Sequence, residues 1–357
     1  MPKKKGSMES GTPKSMGYHF PAEWEIHEAT WLTYPQNPES WPDNHELACK
    51  EFNLFVKSVS KNETVHINVN DGETLQKVAE ALDKAGCNMK KIVFHIFMSD
   101  DCWCRDYGPA FLINTKGDRA LVDWEYNAWG NKYPSSSDNL ISSRIAQYTG
   151  YKRFIPGIVM EGGSIEVNGM GTLLTSKACL LNNNRNPHLS QVEIEEYLCQ
   201  YYCIDQVIWF DDGIAGDDTD GHIDDIARFA DPYKLVLAIS KEKSDINYET
   251  LQNNLAAAKQ FRLINGVQPT IIELPMPETR YLLGVPLPAS YANFYICNTG
   301  VIVPVFNCKQ DQQALDILAE AFPSREIIPV GSVNIIYGLG SWHCLSQQEP
   351  GFYTILS

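Results

Sequence analysis

The sequence lacks the features that mark membrane-spanning and nucleic-acid-binding proteins. It has no apolar run of about 18 residues and no signal peptide. Its 29 Lys and Arg are outnumbered by 44 Asp and Glu, giving a net charge of −15. A field of this sign repels nucleic acid and anionic membranes and attracts small cations. The composition therefore predicts a cytoplasmic protein with a small cationic ligand, and argues against nucleic acid or a membrane as partner.

Cysteine is present, but without the spacing of a disulfide framework or a structural zinc site. The ten cysteines are scattered, and the pairs Cys102 with Cys104 and Cys199 with Cys203 lack the CxxC spacing. A Gly-rich phosphate loop is also missing, because residues 338–340 lack a third glycine and a following helix. We therefore expect free thiols in a reducing compartment, and neither a metal nor an organic cofactor.

The length and composition are those of a globular protein with a large core. The 357 residues are 44% apolar and 20% charged. Length alone would suggest two domains, but repeated α/β architectures of this size also occur as one. Residues 1–16 are polar and aperiodic, so we expect a disordered tail or a cloning remnant there, followed by one domain over residues 17–357.

A repeated pattern of strands and helices predicts an α/β fold. Residues 65–69 alternate apolar and polar, as in a strand, whereas residues 75–82 have helical spacing with Gly86 as C-terminal cap. Ser190 with Glu193 predicts a capping box at the start of another helix. About five strand–strand–helix–strand units follow one another, the first irregular, with helices predicted at residues 45–60, 75–82, 139–148, from 190, 248–264 and 311–322.

Such units cannot each bury a sheet face alone, so we expect the copies to pack around a common centre. The loops that follow the closing strands would then converge on one axis. The alternative is an open doubly wound sheet, which the missing phosphate loop disfavours.

Four of these loops carry reactive side chains, at Asp106, Glu161, the pair His222 and Asp224, and Cys344. Each has an ordinary structural interpretation when taken alone: a turn carboxylate, a satisfied histidine or a small buried thiol. Their joint occurrence at the ends of successive units favours one site with a thiol, an imidazole and carboxylates.

A guanidinium is the substrate that uses this set of groups. It is planar and permanently charged, and carboxylates match its forked donors in pairs. We therefore predict that Asp106 and Asp224 hold the guanidinium while Cys344 attacks its carbon and His222 protonates the leaving ammonia, then activates a water. A Cys–His peptidase is disfavoured, because these carboxylates would oppose a developing oxyanion.

Six motifs also carry a resemblance over residues 18–350. The chain resembles the agmatine deiminases and bacterial-type peptidylarginine deiminases of the guanidino-group-modifying superfamily. The matching stretches are Trp103-Cys104-Arg105-Asp106-Tyr107-Gly108-Pro109, Glu161-Gly162-Gly163, Asn184-Arg185-Asn186-Pro187-His188, Gly221-His222-Ile223-Asp224, Ala289-Ser290-Tyr291-Ala292-Asn293-Phe294-Tyr295 and His343-Cys344-Leu345-Ser346-Gln347-Gln348-Glu349-Pro350.

This resemblance implies a five-bladed β/α propeller with pseudo-fivefold symmetry, and a single deiminase domain. It implies Cys344 as nucleophile, His222 as acid and base, Asp106 and Asp224 as guanidinium ligands, and Glu161 as a further active-site carboxylate. The implied reaction converts agmatine to N-carbamoylputrescine and ammonia in polyamine biosynthesis. The sequence is compatible with a homodimer but does not require one.

The identity of the substrate tail is the open point. Family members read Gly-Gly-Gly-Asn-Ile-His-Cys where this chain has bulky Leu339 and Trp342, so we predict that Trp342, with Trp103, contacts the substrate. An acidic loop over residues 211–218 is a candidate ligand for a distal amine. Alternatives are peptidylarginine, free arginine, amidino transfer to an amine, or a non-enzymatic ribosome-binding relative, which the net charge of −15 disfavours.

Overall fold

A computed structural model describes residues 11–352. Residues 1–10 of the predicted tail lie outside this range. The predicted boundary at residue 17 falls too late, because Lys14–Met16 form a 3-10 turn. This turn is anchored where Lys14 Nζ donates to the Ile204 carbonyl at 2.6 Å and the Thr12 hydroxyl donates to Gln200 at 2.8 Å.

The structure has nineteen strands within residues 11–352. They are β1 (Tyr18–His19), β2 (His27–Thr33), β3 (Thr64–Val69), β4 (Ile92–Ile96), β5 (Ala110–Asn114), β6 (Arg119–Val122), β7 (Lys152–Phe154), β8 (Ile165–Val167), β9 (Thr172–Ser176), β10 (Gln206–Phe210), β11 (Ala227–Asp231), β12 (Lys234–Ile239), β13 (Thr270–Pro275), β14 (Tyr281–Leu282), β15 (Val285–Pro286), β16 (Tyr295–Ile296), β17 (Gly300–Val305), β18 (Glu326–Gly331) and β19 (Ser346–Pro350).

The helices connect strands of the same sheet or lead into the site. They are α1 (His45–Val59), α2 (Gly72–Ala85), α3 (Cys104–Tyr107), α4 (Ile141–Thr149), α5 (Lys177–Leu180), α6 (Gln191–Tyr201), α7 (Tyr248–Ala258) and α8 (Asp311–Ala321). None of the helices within residues 11–352 combines the length and apolar character needed to cross a bilayer.

Five sheets share one plan, in which an antiparallel pair is extended by a parallel strand after a helix. The strand orders are β1-β5-β6-β7, β10-β9-β8, β11-β12-β13, β16-β17-β18 and β19-β2-β3-β4, with a separate hairpin of β14 and β15. In each sheet one inner strand pairs antiparallel with one neighbour and parallel with the other; these strands are β6, β9, β12, β17 and β2. A mixed α/β fold with the predicted repeat is therefore confirmed.

The first predicted unit, which contains β2, β3 and β4, is irregular because its antiparallel strand is not adjacent to it in the sequence. Its antiparallel partner is β19, which comes from the C-terminal part of the chain and pairs with β2, opposing Ser346 to Leu32. The residues of β19 are all buried although most are polar, and several of their side chains have polar partners. Trp31 Nε1 donates to Glu349 at 2.8 Å, for example. A strand without apolar alternation is stable here because its polar groups are satisfied.

Two predicted helix caps are confirmed, and one predicted helix is shorter than expected. Ser190 and Glu193 form the capping box, and Gly86 ends α2 with a φ of +80°. The helix predicted over residues 248–264 ends at Ala258. The reason is a turn, in which the Leu263 N–H donates to the Val267 carbonyl at 2.9 Å.

Candidate active site

The Cys344 thiol lies in the turn that leads into β19. The preceding turn packs beneath Trp103, so that a Cβ at Gly340 would lie 2.5 Å from the indole. The Cys344 carbonyl accepts the N–H of Arg105 from α3 at 3.1 Å. Glycine at position 340 and pairing of β19 therefore fix the backbone on both sides of the thiol.

Burial and carboxylates keep the Cys344 thiol neutral. Its side chain is 6% exposed, and Sγ lies 3.6 Å from Asp224 Oδ2. Burial raises the pKa of Cys344 well above its ordinary value, and the charges of Asp224, Asp225 and Asp106 raise it further. Asn293 Nδ2 lies 3.0 Å from the sulfur, as a donor that favours the thiolate. Formation of the thiolate therefore requires added positive charge.

The His222 ring lies between two carboxylates without bonding to either. Nδ1 lies 3.7 Å from Asp106 Oδ1, and Nε2 lies 3.6 Å from Glu161 Oε2. The ring is 1% exposed, and neither nitrogen has a hydrogen-bond partner. Burial disfavours its charge, but the Asp106 carboxylate, Cys179 and Glu161 together raise the pKa of His222 well above its ordinary value. Asp217 orients the loop by accepting the His222 N–H at 2.9 Å.

Asp106 faces the same space from α3. Its two oxygens accept from the Gly163 N–H and from Trp129 Nε1, both at 2.9 Å. Burial raises the pKa of Asp106 to about 6, against the attraction of His222, and the charge of Asp224 adds to the rise. This carboxyl is therefore only weakly acidic until a cation enters.

Gly163 marks the point at which the predicted groups meet. A Cβ built on this glycine would lie 2.6 Å from His222 Nδ1, 2.8 Å from Asp106 Oδ1 and 3.0 Å from Asp224 Oδ2. The imidazole and both predicted guanidinium ligands thus surround one small volume, and Asp224 links it to the Cys344 sulfur. Glycine is required because any side chain would fill that volume.

Glu161 is oriented by an arginine that the sequence motifs contain without an assigned role. Arg185 Nε donates to Glu161 Oε1 at 2.6 Å, and both side chains are fully buried. Burial would raise the pKa of Glu161, but Arg185 and His222 lower it below its ordinary value. The second oxygen, Oε2, is left facing His222 and the Cys179 thiol, the latter at 3.5 Å.

Asp224 is held by a histidine that we did not predict as a site residue. His343 Nδ1 lies 2.7 Å from Asp224 Oδ2, and His343 Nε2 lies 2.8 Å from Glu23 Oε2. Burial raises the pKa of Asp224, but the His343 hydrogen bond and nearby positive charges outweigh it, so the pKa is lowered. His343 therefore keeps Asp224 ionised beside a neutral thiol.

Beneath this pair lies a buried network of charges. Glu23 Oε2 lies 2.9 Å from Arg228 Nη2 and 3.4 Å from Arg105 Nη2, and Arg228 Nε lies 3.0 Å from Glu166 Oε2. Burial would raise the pKa of Glu23, but Arg228 and His343 lower it well below its ordinary value. Removal of one partner from such a network leaves an unpaired buried charge, which costs about 3–5 kcal/mol.

Trp129 reaches Asp106 from a left-handed turn, Ala128–Asn131. Ala128, Trp129, Gly130 and Asn131 have φ of +49°, +52°, +97° and +63°. Non-glycine residues adopt this region at a cost of about 1–2 kcal/mol each. The Asn127 side chain offsets part of this cost by accepting the Gly130 N–H at 2.9 Å. Strain of this kind is typical of functional sites.

The two predicted tryptophan contacts have different surroundings. The Trp103 ring lies 5.7 Å from Trp41 and covers the turn before Cys344, so it borders the site. Trp342 is fully buried, stacks on Phe55 at 5.0 Å and donates to the Val330 carbonyl at 3.2 Å. These contacts give Trp342 a place in the hydrophobic core, which argues against the predicted contact with substrate.

Three of the four carboxylates of the acidic loop already have partners elsewhere in the chain. Asp211 binds Lys177 at 2.6 Å, Asp217 accepts backbone N–H groups, and Asp218 accepts the Tyr133 hydroxyl at 2.7 Å. This pairing argues against a loop that waits for a distal amine.

The structure thus gathers Cys344, His222, Asp224, Asp106 and Glu161 in one place. Their roles remain predictions. The residues that sequence analysis missed are Asn293, His343, Arg185, Glu23 and Trp129. The first three lie within the matched motifs, which was a usable signal, whereas nothing in the local sequence distinguishes Glu23 or Trp129.

A buried thiol, an imidazole and three carboxylates meet beyond the ends of sheets in a mixed α/β fold, which is an arrangement suited to an enzyme that acts on a cationic group. The sequence profile of Porphyromonas-type peptidyl-arginine deiminases matches residues 19–350. The chain belongs to this family.

Individual relatives and solved structures agree with this assignment. The chain is 41% identical to a Legionella pneumophila protein provisionally named agmatine deiminase, over 95% of this chain and 96% of that protein. The agmatine deiminase of Enterococcus faecalis superposes with a TM-score of 0.89 at 31% identity, covering 95% of this chain and 98% of that one. A Cys-to-Ser variant of C. jejuni agmatine deiminase with substrate bound gives 0.84 at 31% identity, covering 93% and 96%.

Proposed function

We propose that this chain is a hydrolase of C–N bonds in linear amidines that converts agmatine to N-carbamoylputrescine and ammonia. The arrangement around Gly163 carries the proposal. Two carboxylates, from Asp106 and Asp224, face one small volume that also borders His222 and the Cys344 sulfur. A planar cation with forked donors matches this arrangement, because each carboxylate can accept two of its N–H groups.

Binding of the cation activates the nucleophile. The pKa of Cys344 is raised by burial and by three nearby carboxylates. A guanidinium placed between Asp106 and Asp224 supplies the missing positive charge, so the thiol releases its proton to solvent as the substrate enters. Asn293 Nδ2, at 3.0 Å from the sulfur, then stabilises the thiolate. The thiol stays protonated, and less reactive, when the site is empty.

The reaction then proceeds in two covalent stages. The Cys344 sulfur bonds to the guanidinium carbon, and His222, protonated in the free enzyme, gives its proton to the departing nitrogen, which leaves as ammonia. A thioether-bound amidinium remains. The neutral His222 takes a proton from a water whose oxygen bonds to the same carbon. The C–S bond then breaks, the remaining hydroxyl proton passes to solvent, and the ureido product leaves with the thiolate restored.

Agmatine is favoured as substrate by the relatives. The E. faecalis and C. jejuni structures are agmatine deiminases, and the C. jejuni structure holds substrate in a variant whose cysteine is replaced by serine. A cysteine whose loss traps substrate agrees with the nucleophile role proposed for Cys344. Asp211, Asp217 and Asp218 of the 211–218 loop already have partners, which favours recognition of the distal amine by other residues.

The first experiment measures ammonia and ureido product with agmatine, arginine and an arginine peptide in the presence of a metal chelator. We expect turnover of agmatine alone. Turnover of the peptide alone would keep the chemistry and change the substrate class, and turnover that depends on an added amine would indicate amidino transfer.

The second experiment tests the nucleophile. Cys344→Ser is expected to remove turnover while the protein stays folded, and intact-mass analysis of the unmodified enzyme during turnover is expected to show the amidino adduct. Cys199→Ser is the matched control, since this partly exposed cysteine lies in α6, outside the loops that carry the candidate site residues. Normal turnover by Cys344→Ser would refute the mechanism.

We further propose that the five sheets are blades of a β/α propeller and that residues 17–357 form one catalytic domain. The contacts of Glu23 support this arrangement. Glu23 binds Arg105, Arg228 and His343, and Arg228 also binds Glu166. These four partners belong to the ends or strands of four different sheets. A cytoplasmic location and a homodimer remain predictions.

A further inference from the structure

A second reactive group lies beside the proposed catalytic residues and takes part in none of the proposed steps. Cys179, in α5, is fully buried, and its Sγ lies 3.5 Å from Glu161 Oε2. His222 Nε2 lies 3.6 Å from the same oxygen. The ligand atoms of these three side chains all lie within 4.8 Å of one another.

We propose that Cys179, His222 and Glu161 form a zinc site whose occupation inhibits the enzyme. Thiolate, imidazole and carboxylate are the three ligand types that zinc takes in proteins. Tetrahedral zinc with bonds of about 2.0–2.3 Å places its ligand atoms about 3.3–3.8 Å apart. The separations of 3.5 and 3.6 Å from Glu161 Oε2 fit this geometry, and the remaining separation, between Cys179 and His222, is within 4.8 Å.

The geometry of His222 leaves room for a ligand, because its contacts with Glu161 and Asp106, at 3.6 and 3.7 Å, are longer than hydrogen bonds. Its ring is 1% exposed, and neither nitrogen has a hydrogen-bond partner in the described chain. A buried polar group of this kind is costly unless something binds it. A metal at Nε2 satisfies the nitrogen that now faces Glu161 Oε2.

The surrounding charges allow such a metal. Arg185 holds Glu161 through Oε1 and leaves Oε2 free, which orients the ligand as a neighbouring donor does in other metal sites. A divalent ion with one thiolate and one carboxylate gives a neutral centre, whereas Mg²⁺ and Ca²⁺ would require oxygen ligands throughout. A water completes the tetrahedron, as in sites with three protein ligands.

Zinc would inhibit the enzyme because a metal bound at Nε2 prevents His222 from transferring protons. This consequence rests on the proposed deiminase function. The binding itself does not rest on it. Zinc binding can therefore be measured on Cys344→Ser, which separates failure of the site from failure of the proposed reaction.

The test is titration with Zn²⁺ against a chromophoric chelator, using unmodified protein, Cys344→Ser, Cys179→Ser, Cys179→Ala and Cys199→Ser. We expect one equivalent to bind to the unmodified protein, Cys344→Ser and Cys199→Ser, and affinity to fall by about 100-fold in both Cys179 variants. Co²⁺ in place of Zn²⁺ is expected to give a thiolate charge-transfer band that Cys344→Ser retains and Cys179→Ala loses.

Two outcomes would overturn the proposal. Binding that survives loss of Cys179 but disappears in Cys344→Ser would assign the metal to the nucleophile. Absence of stoichiometric binding to unmodified protein, or of the Co²⁺–thiolate band in it, would remove the site whether or not the Cys179 variants fold.

Discussion

Substitution of Gly163 by alanine tests the geometry of the site with a single added carbon. The backbone at Gly163 is not in the left-handed region, so alanine is allowed there and any effect comes from the Cβ. That atom would lie 2.6 Å from His222 Nδ1, 2.8 Å from Asp106 Oδ1 and 3.0 Å from Asp224 Oδ2. Each of these groups must therefore move, and two of them are carboxylates held by other hydrogen bonds.

The size of the effect follows from the displacement required. Ordinary contact needs about 3.4 Å or more, so the three groups must retreat by several tenths of an ångström. A misplacement of about 1 Å costs about 100-fold in rate, and overpacking of this kind destabilises a core by about 1–3 kcal/mol. We expect Gly163→Ala to lower kcat/KM for the substrate by about 100-fold, with a smaller effect on folding.

The assay pairs steady-state kinetics with urea denaturation. Gly72→Ala is the matched control, because nothing lies within 4 Å of its added Cβ and the residue begins the exposed helix α2. This control should keep full turnover and gain slightly in stability through its helix propensity. Turnover by Gly163→Ala within about threefold of the unmodified enzyme would show that the carboxylates and His222 do not converge on substrate.

Three further substitutions test neighbouring contacts. The pKa of Asp106 is raised to about 6, so the folded state binds this proton more tightly than the unfolded chain, and stability falls as pH rises from about 4 to about 6. Asp106→Asn should therefore be inactive yet more stable than the parent by about 3 kcal/mol at pH 8, with no gain at pH 4. An equal difference in stability at both pH values would contradict this reasoning. Asn293→Asp places a negative charge about 3.0 Å from the Cys344 sulfur and should slow alkylation of that thiol by iodoacetamide by about 100-fold. An unchanged rate would show that the Asn293 amide does not stabilise the thiolate. His343→Gln can keep only one of the two bonds to carboxylates, so the free energy of unfolding should fall by about 3 kcal/mol. We also expect kcat to fall while KM changes little. Unchanged stability together with unchanged kcat would exclude a positioning role for His343.

Local patterns predicted the repeated unit and much of the site. Capping by Ser190 and Gly86 depends on neighbouring residues alone, so it is visible in the sequence. The catalytic candidates could be found because each follows a closing strand, a position that brings distant loops together in a repeated fold.

What escaped prediction depends on partners far away in the sequence. The polar strand β19 has no apolar alternation, and it is recognisable only once β2 and its Trp31 are known to lie beside it. Glu23 acquires its role from arginines more than one element away. Trp129 adopts a positive φ without glycine, which no side-chain pattern signals. The placement of Trp342 depends on Phe55, a contact that spacing cannot reveal.

The pairing of β19 with β2 makes the backbone around Cys344 depend on two segments from opposite parts of the chain. Four sheets can assemble from the first 331 residues in order of synthesis, but the sheet that holds Cys344 closes only when one of the last strands joins one of the first. A chain shortened by interrupted translation or by proteolytic removal of β19 would retain most of its hydrophobic core and yet lack an anchored thiol. With Cys344 as the proposed nucleophile, we expect a chain that lacks β19 to be inactive.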